Sequence, residues 1–180
     1  MSERIPRGST RPAAPITQLS LLDRLDDQEP DRSRDPPPSP IDSLEALRRS
    51  VCRDLQALLN SRRRWRSWPS RYTELSVSPI GYGISDFSAG AFNDPVRRDL
   101  LRSEIEQTIR QFESRLLQVR VILVENTDQL EATLRLRVDA TLRAEPAPEP
   151  IAFDTLVDSV TAQIAVRPSA ALVSPETDRV

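Results

Sequence analysis

DPVRRDLLRSEIEQTIRQFESRLLQVRVILV, residues 94–124, decides the fold because its hydrophobic period changes partway along. Asp94 can cap a helix, and Pro95 fits the first helical position, where a backbone N–H would have no partner in any case. Val96, Leu100, Leu101, Ile105, Ile109, Phe112 and Leu116 then recur at the spacing of one helix face. Immediately afterwards Leu117, Val119, Val121 and Leu123 alternate with their neighbours, the period of a strand with one buried face.

The alternation resumes downstream. Leu134, Leu136, Val138, Ala140 and Leu142 interleave with Thr133, Arg135, Arg137, Asp139, Thr141 and Arg143, and Asn126-Thr127-Asp128 supplies turn chemistry between the two runs. An antiparallel hairpin with one buried and one arginine-rich face is expected over residues 119–143. Glu145-Pro146-Ala147-Pro148-Glu149-Pro150 reads as a stiff connector, and the β-branched content of residues 151–166 favours strand with a short turn.

Upstream, Leu44, Leu47, Val51, Leu55 and Leu58 form a second helical stripe within residues 43–63, with Asp42 and Glu45 in capping-box spacing at its start. Arg48, Arg49, Arg53 and Asp54 take its other faces. Residues 65–93 lose all periodicity and carry Pro69, Pro79, Gly81, Gly83 and Gly90, so they read as a long ordered connection held by aromatic residues such as Tyr72, Tyr82 and Phe87. The expected class is therefore α+β: two long amphipathic helices packed on a small, mainly antiparallel sheet.

Eight of the 16 prolines fall in the first 40 residues, which marks residues 1–40 as an extended leader ahead of a domain at 41–167, with a loose tail at 168–180. One apolar island interrupts the leader. Leu21, Leu22 and Leu25 share a helical face too short to be stable alone, so this island, near residues 19–26, must dock on something.

Composition excludes much chemistry. The 180 residues hold no histidine, and all 25 basic residues are arginine, so neither a Ser-His-Asp or Cys-His nucleophile nor a lysine-bearing phosphate loop can be assembled. No catalytic residue, metal ligand or cofactor is indicated. Charge is nearly balanced at −2, without the excess that draws a chain onto nucleic acid or a membrane. The single cysteine, Cys52, reads as a small residue at the margin of the helix stripe and suits a reducing compartment. With no long apolar run, no membrane insertion is expected.

Two sharper alternatives compete with an interaction role. A lysozyme-like peptidoglycan hydrolase needs only two carboxylates across a cleft, and Glu106 and Glu113 lie on one side of the second helix, although a solvated charged face explains them as well. Arg62-Arg63-Arg64-Trp65-Arg66-Ser67-Trp68, arginines interleaved with tryptophans, could hold a nucleic-acid strand, but cations at a helix end also meet its last carbonyls.

Several segments in order resemble one family. Leu21-Leu22-Asp23-Arg24-Leu25 looks like the N-terminal signature of TssE proteins, the gp25-type baseplate subunits of bacterial type VI secretion machines. Ser50–Leu55 with Leu58–Arg62 resembles their first long helix, and Ser76-Val77 with Gly81–Phe87 resembles their Ser-Val-x-x-Tyr-Gly-x-x-Asp loop. Glu113-Ser114-Arg115 matches a junction where the family typically has Glu-Pro-Arg, with Ser114 in place of the proline. The resemblance implies a structural part in the cytoplasm, at the inner-membrane-associated baseplate, set between the wedge subunits TssF and TssG and the TssB/TssC sheath. The residues expected to carry contacts are Glu113 and Arg115 at the junction, Val119, Val121 and Leu123 on the first strand, and Leu21, Leu22 and Leu25 in the leader. Glu113 and Arg115 can pair within the fold or across an interface, and both readings stand at this level.

Overall fold

The computed structural model describes residues 20–25, 30–31, 39–63, 68–69, 71–87, 94–124, 133–145, 147–158 and 160–169. Their helices are α1 (Leu21–Leu25), α2 (Pro40–Asn60), α3 (Glu74–Val77) and α4 (Pro95–Phe112), and the strands are β1 (Leu116–Val124), β2 (Thr133–Leu142), β3 (Glu149–Asp158) and β4 (Ile164–Pro168). The strands form one antiparallel meander in the order β1-β2-β3-β4. The α+β class read from the sequence holds. The expected hairpin turn, residues 126–128, lies outside the described residues, as does the loose tail beyond Ser169.

Helix α2 begins three residues before the expected Ser43. Ser39 is the cap: its Oγ accepts from the Asp42 N–H at 3.1 Å and donates to the Asp42 carboxylate at 2.6 Å, with Pro40 in the first turn. Asp42, expected as the cap, is thus the reciprocal partner. The helix stops at Asn60 rather than Arg63 because the chain turns out to bond a loop: Ile84 N–H donates to Ser61 O at 3.1 Å and Arg63 N–H to Ile84 O at 2.8 Å. That loop holds Gly83 at φ +96°, where a Cβ would also collide with the Ser61 carbonyl, so only glycine fits. The stretch 65–93 is also less featureless than its sequence suggests, since it contains α3 and a single 3-10 turn at Pro79–Gly81.

Leu47, Val51, Leu55, Leu58 and Leu59 of α2 and Leu101, Ile105 and Ile109 of α4 are buried with one face of the sheet, where Leu136, Val138 and Phe153 are essentially inaccessible. A fully buried side chain of this size contributes roughly 1.5–3 kcal/mol of transfer free energy, so this single aliphatic layer dominates the stability. The stripe expected on α4 does not extend to its start. Val96 and Leu100 are 67% and 64% exposed.

The expected alternation of Leu117 with Val119, Val121 and Leu123 is also broken. Leu116, not Leu117, is buried, and the register of β1 on β2 shifts between Leu117 and Arg120. Gln118 at φ +50° forms a bulge that turns Val119 inward after Leu116. Strand β3 begins at Glu149, so the second proline connector already contributes its last two residues to the sheet.

Candidate interaction site

The turn from α4 into β1 assembles a charged cluster. Arg115 grips Glu113 with two bonds, Nε to Oε1 at 2.7 Å and Nη2 to Oε2 at 2.5 Å, and reaches back to α2 through Asp54 Oδ2 at 2.7 Å and Ser50 Oγ at 3.1 Å. Glu113 is buried, and bonding to it and to Asp54 raises Arg115 further above the usual guanidinium range. Tyr82 stands over the cluster, edge-on to Phe112 at 5.3 Å; burial, then the carboxylates of Asp54 and Glu113, push its phenol up. Glu113 and Arg115 therefore pair within the fold, tying the helix-to-strand turn to α2.

The same cluster reaches the leader. Asp23 of α1 accepts from Ser50 Oγ at 2.6 Å and from Arg53 Nη2 at 2.5 Å, so Ser50 stands between Asp23 and Arg115. Burial pushes the Asp23 carboxyl up, but the bonds from Ser20, Ser50 and Arg53 outweigh it and leave the pKa at about 2. Asp23 is thus ionised and holding at neutral pH. Leu21, Leu22 and Leu25 point away from this anchor and are 74%, 74% and 79% exposed. Asp23, Ser50 and Asp54 were not singled out from the sequence; their signal is that Ser50 and Asp54 stand four residues apart, beside the leucine stripe.

Both sheet edges are partly sealed by side chains from the helices. On β1, Arg110 donates to Val119 O at 2.6 Å, Arg102 to Val121 O at 3.3 Å, and Val121 N–H donates to Glu106 at 2.9 Å. On β4, Asn60 brackets Ile164, donating to its carbonyl at 2.7 Å and accepting from its N–H at 2.9 Å, while Val166 meets Gln56 and Cys52. The sealing residues, Cys52-Gln56-Asn60 and Arg102-Glu106-Arg110, each recur every four positions. Four residues of helix rise about 6 Å and two of strand about 6.6 Å, so one helix row can meet successive outward groups of a strand.

Of the strand residues expected to carry contacts, Val119 and Val121 are thus buried and already bonded at the edge. Leu123 is different. Two residues further on, its N–H and C=O face the same open side and have no partner among the described residues. Arg98, the next residue of the α4 row, leaves its Nε buried and unpaired. Ile122 and Val124, the neighbours of Leu123 on β1, are exposed, as are Val96 and Leu100 at the start of α4.

The carboxylates that could have suggested hydrolysis are engaged. Glu106 bonds Val121 N–H, Arg102 and Arg110, and Glu113 bonds Arg115. At the basic stretch, Arg62 donates to the Leu59 and Ala162 carbonyls, in keeping with a helix-end role; Arg64 to Ser67 lie outside the described residues. Among the described residues no helix is long and apolar enough to cross a membrane.

Ser114 makes a direct test of this junction possible. Leu116 N–H donates to Glu113 O at 3.2 Å, which places Ser114 second in a four-residue turn, and its own N–H has no backbone partner among the described residues. Glu113, at φ −109° and ψ 83°, lies outside the helical region that a following proline disfavours. Ser114→Pro should stabilise the chain by about 0.5–1 kcal/mol, read as a higher urea midpoint at unchanged slope.

The family described as baseplate wedge protein gp25 matches residues 45–147, more than half of the sequence, and the chain belongs to that family. No curated protein sequence matches it.

Proposed function

We propose that the chain is the TssE-type subunit of a type VI secretion baseplate, joining the TssF and TssG wedge subunits to the first ring of the TssB/TssC sheath. Membership of the baseplate wedge family supports a structural role in such an assembly. The observation that carries the finer reading is α1: it is anchored to its own domain by polar bonds while its three leucines remain in water. A five-residue helix displayed in this way gains by covering its apolar face with a second protein. In this reading α1 meets the wedge, and the open end of β1 at Leu123 meets the sheath.

Replacing Leu21, Leu22 and Leu25 together by serine leaves the Asp23 anchor in place and tests the wedge contact alone. Full burial of three leucines is worth roughly 5 kcal/mol, so losing even a third of it should lower recovery of TssF and TssG with the tagged chain about tenfold. Unchanged recovery from a variant with a native melting curve would refute the assignment of α1 to the wedge.

A further inference from the structure

A groove of about 880 Å³ runs between α2 and β4 on the side of the domain away from α4. Its lining includes Cys52, Gln56 and Asn60, which occupy the outward backbone groups of Ile164 and Val166, together with the turn at 161–163, so a ligand there cannot join the sheet as a fifth strand. Recognition must come from the walls. Among the described residues that line it are three arginines, Arg49, Arg53 and Arg62, and no carboxylate.

Each cation is placed differently. Arg49 and Arg53 stand one turn apart on the exposed lip of α2, about 6 Å along its axis. Arg62 closes the far end, held in position by the Leu59 and Ala162 carbonyls and stacked over Phe87 at 4.7 Å; its nearest carboxylate, the exposed Asp86, is 4.0 Å away. This lip already takes carboxylates within the molecule: Arg53 holds Asp23 of α1 through Nη2 at 2.5 Å and Asp54 through Nε at 3.3 Å, so its Nη1 is the group left for a ligand.

We infer that this groove is a docking site for an extended acidic segment of a partner protein, distinct from the α1 and β1 contacts. The spacing specifies the segment. An extended chain advances about 6.6 Å every two residues and returns its side chains to the same face, which matches the rise from Arg49 to Arg53. Carboxylates at alternate positions meet both arginines from one face, with one further acid about four residues on to reach Arg62. A helix would present acids on one face only every three or four residues, a poorer match to this spacing.

The test uses the full chain and a fluorescent ten-residue peptide of serine and threonine with three glutamates, two at alternate positions and one four residues on. Binding followed by anisotropy at low salt should weaken about tenfold in Arg49→Glu and stay within twofold in Arg135→Glu, an equal change of charge on the opposite face of the sheet. A peptide with the same glutamates in one block should bind several-fold less well, and added salt should weaken both. Equal losses in the two variants would overturn the inference in favour of general charge attraction. Tighter binding of a thymidine oligonucleotide that displaces the peptide would overturn it in favour of a phosphate-backbone site. Loss of binding is to be scored only on Arg49→Glu protein with native circular dichroism; if that variant unfolds, Arg49→Ala, which removes an exposed side chain, replaces it.

Discussion

Arg115→Met should destabilise the chain by about 3 kcal/mol, because it strips the buried Glu113 carboxylate of both its charged bonds and removes the bonds that tie the turn to Asp54 and Ser50, which keep Arg53 and Asp23 as partners. For a chain of this size such a loss corresponds to a melting temperature lower by roughly 6–12 °C. Arg115→Lys should recover little of it, since an ammonium cannot make the paired bonds to Glu113 while also reaching Asp54. The decisive measurement is the double variant. Removing Glu113 as well, as Glu113→Gln with Arg115→Met, eliminates the stranded charge and should restore 1–2 kcal/mol. A double variant no more stable than Arg115→Met would mean that the pair acts through packing alone.

That cluster also shows where sequence reasoning reaches its limit. Leu47, Val51 and Leu55 on α2 and Leu136 and Val138 on β2 were legible because burial imposes a period, and a period survives in one dimension. Glu113 and Arg115 were legible as residues and as a pair, but the sequence did not choose between pairing within the fold and pairing across an interface. Their third partner, Asp54, is 61 positions from Arg115, and nothing local records that α2 and the α4 turn meet. Gln118 hid the bulge, since a residue other than glycine at positive φ carries no mark in the sequence. Val96 and Leu100 misled in the opposite direction: they keep the helical period of a buried stripe while both side chains stay mostly exposed.

The sealed edges were harder still, because Arg102, Glu106 and Arg110 look the same whether they face water or lap over a strand. Only the strand they meet distinguishes the two, and that strand is brought alongside by the turn at Glu113. The consequence is functional. An edge strand with free N–H and C=O groups pairs with any extended chain it encounters, and natural folds suppress this with charges. Here Arg98 continues the helix row without bonding the strand, so among the described residues the sealed positions Val119 and Val121 are followed by Leu123, whose outward groups have no partner. The fold restricts where a partner strand can begin.

Leu123→Pro should therefore leave the domain folded and abolish sheath assembly, if sheath subunits start on the open end of β1. Its N–H faces away from β2, since Leu123 stands opposite Leu136 in the same alternation as Val121 opposite Val138, so proline removes a donor that the domain itself does not use. Two neighbours provide the controls. Ile122→Pro strikes a position whose N–H is directed at β2 opposite Arg137 and should unfold the strand, whereas Val121→Pro removes the bond to Glu106 and should cost about 1–3 kcal/mol while the edge beyond it stays open. Counting fluorescent sheaths in cells carrying each variant, with stability measured on the purified chains, separates the outcomes. Leu123→Pro should reduce sheath number at least tenfold with a melting temperature within a few degrees of the parent, since the loss of half-buried leucine packing is limited. Sheaths at normal frequency in a folded Leu123→Pro strain would rule out strand pairing at this edge, and would leave the exposed apolar residues Val96, Leu100, Ile122 and Val124 as the surface on which the sheath contact has to be sought.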